Sequence, residues 1–139
     1  MINLNKIELT DLLKSDVSAF NAYREKYPEQ EINFNRANFE GADLRGAYLE
    51  DADFIGANLY QVNFLDVNLK GADFEGANLE EAILYGANLE NSCFLDANLY
   101  HANLINANIK GASFNEDNIR DVYIKLTKEV IEVIERNIF

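Results

Sequence analysis

Three kinds of side chain in this sequence could carry chemistry, and each is judged by the company it keeps. His101, the one histidine, works as a general base only beside a nucleophile and an orienting acid, and its stretch "NLYHANL" supplies neither. Cys93, the one cysteine, has no partner for an internal disulfide and no neighbouring base to make it a thiolate. Asp53 and Asp73 lie twenty residues apart. If the chain returns on itself at that interval, their carboxylates stack and could share a proton or hold a cation. The phosphate-cradling patterns G-x-G-x-x-G and the P-loop are missing, as is the calcium-binding G-G-x-G-x-D signature. The residues therefore predict no catalytic centre, no metal and no cofactor, and the two aspartates read as members of a recurring polar slot.

That slot belongs to a repeat, which must be identified before any local structure is assigned. "GADFEGANLEEAILYGANLE", residues 71–90, states one pattern four times. With the large apolar residue as centre, eighteen consecutive centres run in five-residue steps from Phe34 to Ile119, all of them Phe, Leu or Ile. Alanine stands two places before thirteen of them, and Asn or Asp one place before fourteen. All seven glycines stand two places after a centre, and six further such places hold Asp or Asn. These residue types tolerate positive φ, so the pattern predicts a tight turn every five residues, which neither a helix nor a long strand allows.

Four such turns close a square of twenty residues, and one column of centres counts the coils. Phe34, Phe54, Phe74, Phe94 and Phe114 are all phenylalanine, whereas only Phe39 and Phe64 are among the remaining centres. This column defines a first wall. The second carries Phe39, Leu59, Leu79, Leu99 and Ile119, the third Leu44, Phe64, Leu84 and Leu104, and the fourth Leu49, Leu69, Leu89 and Ile109. The units "GANLY", "GADFE", "GANLE" and "HANLI" resemble the A-(D/N)-L-x-x unit of pentapeptide repeat proteins, over about 90 of the 139 residues. The resemblance implies an all-β solenoid, a right-handed quadrilateral β-helix with each centre and its preceding alanine pointing inward.

At a strand spacing of about 4.8 Å, about 4.5 coils of twenty residues make a rod roughly 22 Å long. We expect the rod over 32–124, an N-terminal helical cap over 1–31 and a C-terminal capping helix over 125–139, all in one structural domain, because open solenoid ends need covers. "SDVSAFNAYREKYP" offers Ser15 or Asp16 as N-cap, an apolar set of Val17, Phe20, Tyr23 and Tyr27, and Pro28 as a stop; "ELTDLLK" adds a turn or two. "LTKEVIEVIERNIF" offers Thr127 as N-cap and a stripe of Val130, Ile131, Ile134 and Ile138, with Val133 and Phe139 free for a homodimer contact; the chain is expected to be a monomer or that dimer. On the rod's surface, Asn38, Asn58, Asn78, Asn98 and Asn118 predict an amide ladder. Glu50, Lys70, Glu90 and Lys110 alternate in sign from coil to coil, which predicts cross-strand ion pairs.

Charge bounds the function. With 24 acidic and 12 basic residues the net charge is −12, which opposes direct nucleic-acid or membrane binding through a basic patch. The opening residues hold no apolar run of signal-peptide length and no segment spans a bilayer, so a cytoplasmic protein is expected. Two surfaces are candidates for binding. Leu65, Ile83, Tyr85 and Ile105 on the third wall, continued by Ile55 and Leu95 on the first, form a candidate apolar interaction wall for an unidentified protein. Asp53, Asp73, Glu75, Asp96 and Glu116 form an acidic wall. The resemblance implies a use for the latter, since some members of the family resemble B-DNA in shape and charge and bind type II topoisomerases, protecting gyrase from inhibitors. Non-enzymatic scaffolding is the expectation, with DNA mimicry and a structural module without a specific partner as alternatives.

Overall fold

The computed structural model describes residues 3–119, 122 and 128–138. Among them, thirteen isolated β-bridges from Asn33↔Asp53 to Cys93↔Ser113 are all parallel and all join residues twenty apart. The chain is thus a solenoid with a twenty-residue coil. Every centre from Phe34 to Ile119 is buried, and so are most of the preceding alanines. Val62, Val67 and Ser92 fill the alanine slot equally well, Ser92 by donating its hydroxyl to the Leu89 carbonyl at 2.7 Å. The Phe rings of the first wall stack at centroid separations of 5.3, 5.3, 4.9 and 5.0 Å from Phe34 to Phe114.

One pentapeptide shows why five residues suffice. Asp53 N–H donates backward to Ile32 O at 2.8 Å, Phe54 N–H forward to Asp73 O at 2.7 Å and Gly56 N–H forward to Glu75 O at 2.9 Å. Ala57 N–H closes a turn on Phe54 O at 2.9 Å, and Ile55 N–H is taken by the Asp53 carboxylate at 2.8 Å. All five donors are satisfied, so the turn leaves no orphan. The Asn/Asp slot is there to accept the one N–H that the ladders cannot reach. The turn's third residue, Gly56, has φ +64°, as a type II turn requires. The same position is left-handed in every unit from Arg36 to Gly111, nine of them not glycine.

The amide ladder is partial where it was expected and present where it was not. On the second wall Asn58 donates to Asn38 and Asn98 to Asn78, both at 3.1 Å, whereas Asn118 turns to the carbonyls of Phe94 and Ala97. On the fourth wall Asn108 donates to Asn88 and Asn88 to Asn68, both at 3.2 Å. Asn88→Ala removes both of those bonds and the one its oxygen accepts from Glu90 N–H. The expected cost is about 1–2 kcal/mol, read as a lower urea midpoint at unchanged slope.

Two helices lie against the first coil. Helix α1, Lys6–Ser15, is ten residues rather than a turn or two, because Asn5 and Glu8 form a reciprocal capping box and Leu9 and Leu13 are buried. Helix α2, Val17–Lys26, is capped by Asp16, which accepts from Ala19 N–H at 2.9 Å. Phe20 is buried and sets its ring 6.0 Å from Phe34, extending the aromatic column. Side chains from α2 also satisfy first-coil backbone groups. Asn21 accepts from Tyr48 N–H and donates to Gly46 O, while Arg24 donates to the carbonyls of Tyr48, Gln30 and Glu50.

The far end differs from expectation. Ile119 is buried but belongs to a short helix, α3, Glu116–Ile119, rather than to a coil. Asp117 occupies what would be the inward alanine slot, and the helical path keeps its carboxylate exposed. Helix α4, Lys128–Ile138, buries Val130 and Val133, with Ile134 packed beside them, and leaves Ile131 43% exposed. The buried stripe is therefore turned relative to the expected one, and Val133 is not free for a dimer. Asn137 accepts from Phe114 N–H at 2.9 Å, and Arg136 donates to Ala112 O at 3.2 Å. Thr127 and Phe139 lie outside the described residues.

Candidate functional site

The twenty-residue coil decides which chemistry-bearing residues meet. Asp53 and Asp73 are bridged in register, yet each carboxylate holds the N–H two residues on, Ile55 at 2.8 Å and Glu75 at 2.9 Å. Cys93 is next in the same column, and its sulfur lies with oxygens of Asp73 and Glu75 in a group whose atoms are all within 4.8 Å of one another. The sequence contains the signal for this trio, since Cys93 is one coil after Asp73 and Glu75 two residues after it, but only the coil period makes them neighbours. Burial pushes the thiol's pKa up, and Asp73 and Glu75 add to that against the lowering effect of the Leu95 N–H. A thiol so placed stays protonated and is a poor nucleophile. The trio could bind a divalent cation through two oxygens and a sulfur only by releasing that proton. His101 sits at a left-handed turn position, φ +56°, with its ring stacked on Tyr100 at 3.9 Å.

The proposed acidic wall is not uniform. Asp53 and Asp73 are half-buried and occupied as turn acceptors, Glu75 and Asp96 are exposed, and Asp96 also accepts from Asn115 at 3.3 Å. Glu116 leaves the wall because it begins α3.

On the third wall, Asp66 N–H donates to Tyr85 O and Gly86 N–H to Ile105 O, which places Leu65, Tyr85 and Ile105 in one line along the rod. Ile83 and Tyr85 are each 38% exposed, while Leu65 and Ile105 are half-buried. Ile55 and Leu95 do not extend this patch. Centres five residues apart occupy successive sides of a four-turn coil, so the first and third walls face opposite ways. Leu95 is exposed on that far side, and Ile55 is half-buried.

Two further lines of side chains stand on the second and fourth walls. Glu40, Tyr60, Glu80 and Tyr100 are aligned by the bonds Gly41 N–H to Tyr60 O, Gln61 N–H to Glu80 O and Glu81 N–H to Tyr100 O. Glu50, Lys70, Glu90 and Lys110 are aligned in the same way, and Lys70 approaches Glu90 at 3.7 Å. Sequence reading found the second of these lines and missed the first, because a tyrosine between two glutamates carries no charge to reveal the alternation.

No described helix is long and apolar enough to cross a membrane. A family profile for a pentapeptide repeat region matches residues 30–104. Among solved structures, a pentapeptide repeat protein from Nostoc PCC 7120 is 25% identical, covering 81% of this chain and 90% of its own, with a TM-score of 0.51. One from the cyanobacterium Cyanothece 51142 is 24% identical over 77% of this chain and 95% of its own, TM-score 0.48. A third, from the Arabidopsis thaliana thylakoid lumen, is 21% identical over 76% and 72%, TM-score 0.46. No curated protein sequence matches the chain.

Proposed function

The chain belongs to the pentapeptide repeat family, and from that premise we propose that it is a non-enzymatic scaffold for protein–protein contact. In this reading the rod is a right-handed quadrilateral β-helix of about four and a half coils, closed at both ends by its helices and working in the cytosol as a monomer or as a dimer through α4. It takes no nucleic acid or membrane directly. The observation that carries the proposal is the third wall. Leu65, Tyr85 and Ile105 stand in line beside the exposed Ile83, on a backbone bonded to the coils before and after it, which presents them rigidly.

The purified protein, used as bait in native extract at low and moderate salt, is expected to retain a partner at both, and to lose it on Tyr85→Asp or Ile105→Asp. Recovery of a type II topoisomerase only at low salt, abolished by neutralising Asp53, Asp73 and Glu75, would replace this reading with DNA mimicry. Nothing retained at either salt would leave a structural module.

A further inference from the structure

The second and fourth walls use one geometric slot in two ways. On the fourth wall the acids Glu50 and Glu90 alternate with Lys70 and Lys110, so the chain supplies its own cations, with Lys70 3.7 Å from Glu90. On the second wall the acids Glu40 and Glu80 alternate with Tyr60 and Tyr100, and no lysine or arginine holds an outward position there among the described residues. Arg36, on the preceding corner, lies along Gly56 instead, its Cγ 3.3 Å from where a Cβ would stand on that glycine.

The acids of the second wall are held in place. Asn58 donates to the Glu40 carboxylate at 3.3 Å and Asn98 to that of Glu80 at 3.1 Å, while Gln61 donates to the adjacent Glu81 at 2.7 Å. Each carboxylate accepts one amide and keeps its remaining lone pairs toward solvent. Glu81, then burial, then Glu80 and Glu40 push the Tyr60 hydroxyl's pKa up, so the ring sits in a field that attracts cations. Tyr100 is 48% exposed, with its ring orientation supported by the stacked His101.

We infer that the ridge Glu40–Tyr60–Glu80–Tyr100 docks a basic protein segment whose arginine or lysine side chains recur about every 10 Å, two coil spacings. Guanidinium groups fit it in two ways, forked onto a carboxylate and flat over a tyrosine ring. The ridge runs along the corner that leads to Ile83, so a segment with basic residues over the ridge and an apolar residue beyond it engages both. This inference rests on the scaffold reading and gives its partner a chemistry.

The test is fluorescence anisotropy, at about 0.15 M salt, with two labelled peptides of one composition. One carries arginine at every third residue of a proline-rich, polyproline II chain, on one face and about 9 Å apart, and the other carries its arginines contiguously. The spaced peptide is expected to bind more tightly. Glu40→Gln with Glu80→Gln, which keeps an oxygen for each asparagine, is expected to weaken it about tenfold, the effect of losing charge-assisted bonds. Asp53→Asn with Asp73→Asn removes the same two charges from the first wall and is expected to change it less than about twofold. Equal weakening by the two double variants, or equal binding of the two peptides, would overturn the ridge as the docking surface. Either result with extract capture intact removes this inference alone, whereas ridge-dependent binding without any capture removes the scaffold reading.

Discussion

Phe74→Ala is expected to lower the unfolding free energy by about 3–5 kcal/mol, measured by urea denaturation. The ring is fully buried, stacked at 5.3 Å on Phe54 and 4.9 Å on Phe94, with Phe64 edge-on at 6.3 Å. Truncation leaves a void between two rings that the ladders hold at coil spacing, so the walls have little freedom to collapse into it. Glu75→Ala, one residue on and exposed, is expected to cost less than about 0.5 kcal/mol. Similar losses at both positions would mean that the inward and outward assignment is wrong.

Gly86→Ala is expected to cost about 2–4 kcal/mol, and Gly76→Ala only about 1–2. Both glycines are left-handed, with φ of +68° and +64°, so alanine is strained at either. They differ in what lies one coil back. A Cβ on Gly86 would stand 2.0 Å from Oδ1 of Asp66, whereas a Cβ on Gly76 meets nothing within 4 Å. Gly71 meets Asp51 and Gly111 meets Asn91 in the same way. Asp51, Asp66 and Asn91 thus each have a glycine one coil on, where a Cβ would meet their side-chain oxygen. Adding Asp66→Gly to Gly86→Ala is expected to recover the difference between the two sites; a double variant no more stable than Gly86→Ala would show that backbone strain alone sets the cost.

The twenty-residue period was legible because the inward slots admit so few residue types: a buried column at fixed spacing tolerates Phe, Leu or Ile at the centre and small residues beside it. What was less legible depends on choices the repeat does not constrain. The length of α1 was underestimated because its start signal, Asn5 with Glu8, precedes a weakly periodic stretch. The face of α4 was misjudged because Val130, Ile131, Val133 and Ile134 are all apolar, and only the packing selects Val133 over Ile131. Ile119 satisfied the centre rule, yet Asp117 in the alanine slot broke the coil before it. The candidate surfaces were the least legible. The expected apolar surface joins the first wall to the third, whereas a four-sided coil sets Ile55 and Leu95 opposite the third wall and brings Cys93 to Asp73 and Glu75.

The five-residue unit also governs how such a chain can change in length. Deleting a single residue would turn every downstream centre out of the core, so point indels inside the rod are close to unfolding events. Inserting one unit of five would preserve each turn but rotate all that follows by a quarter revolution, setting the Glu–Tyr ridge of the later part against the Leu65–Tyr85–Ile105 line of the earlier. Only whole multiples of twenty keep every wall's chemistry continuous. Duplication of a full coil is therefore the route by which this rod could grow while the faces it offers to other molecules stay the same.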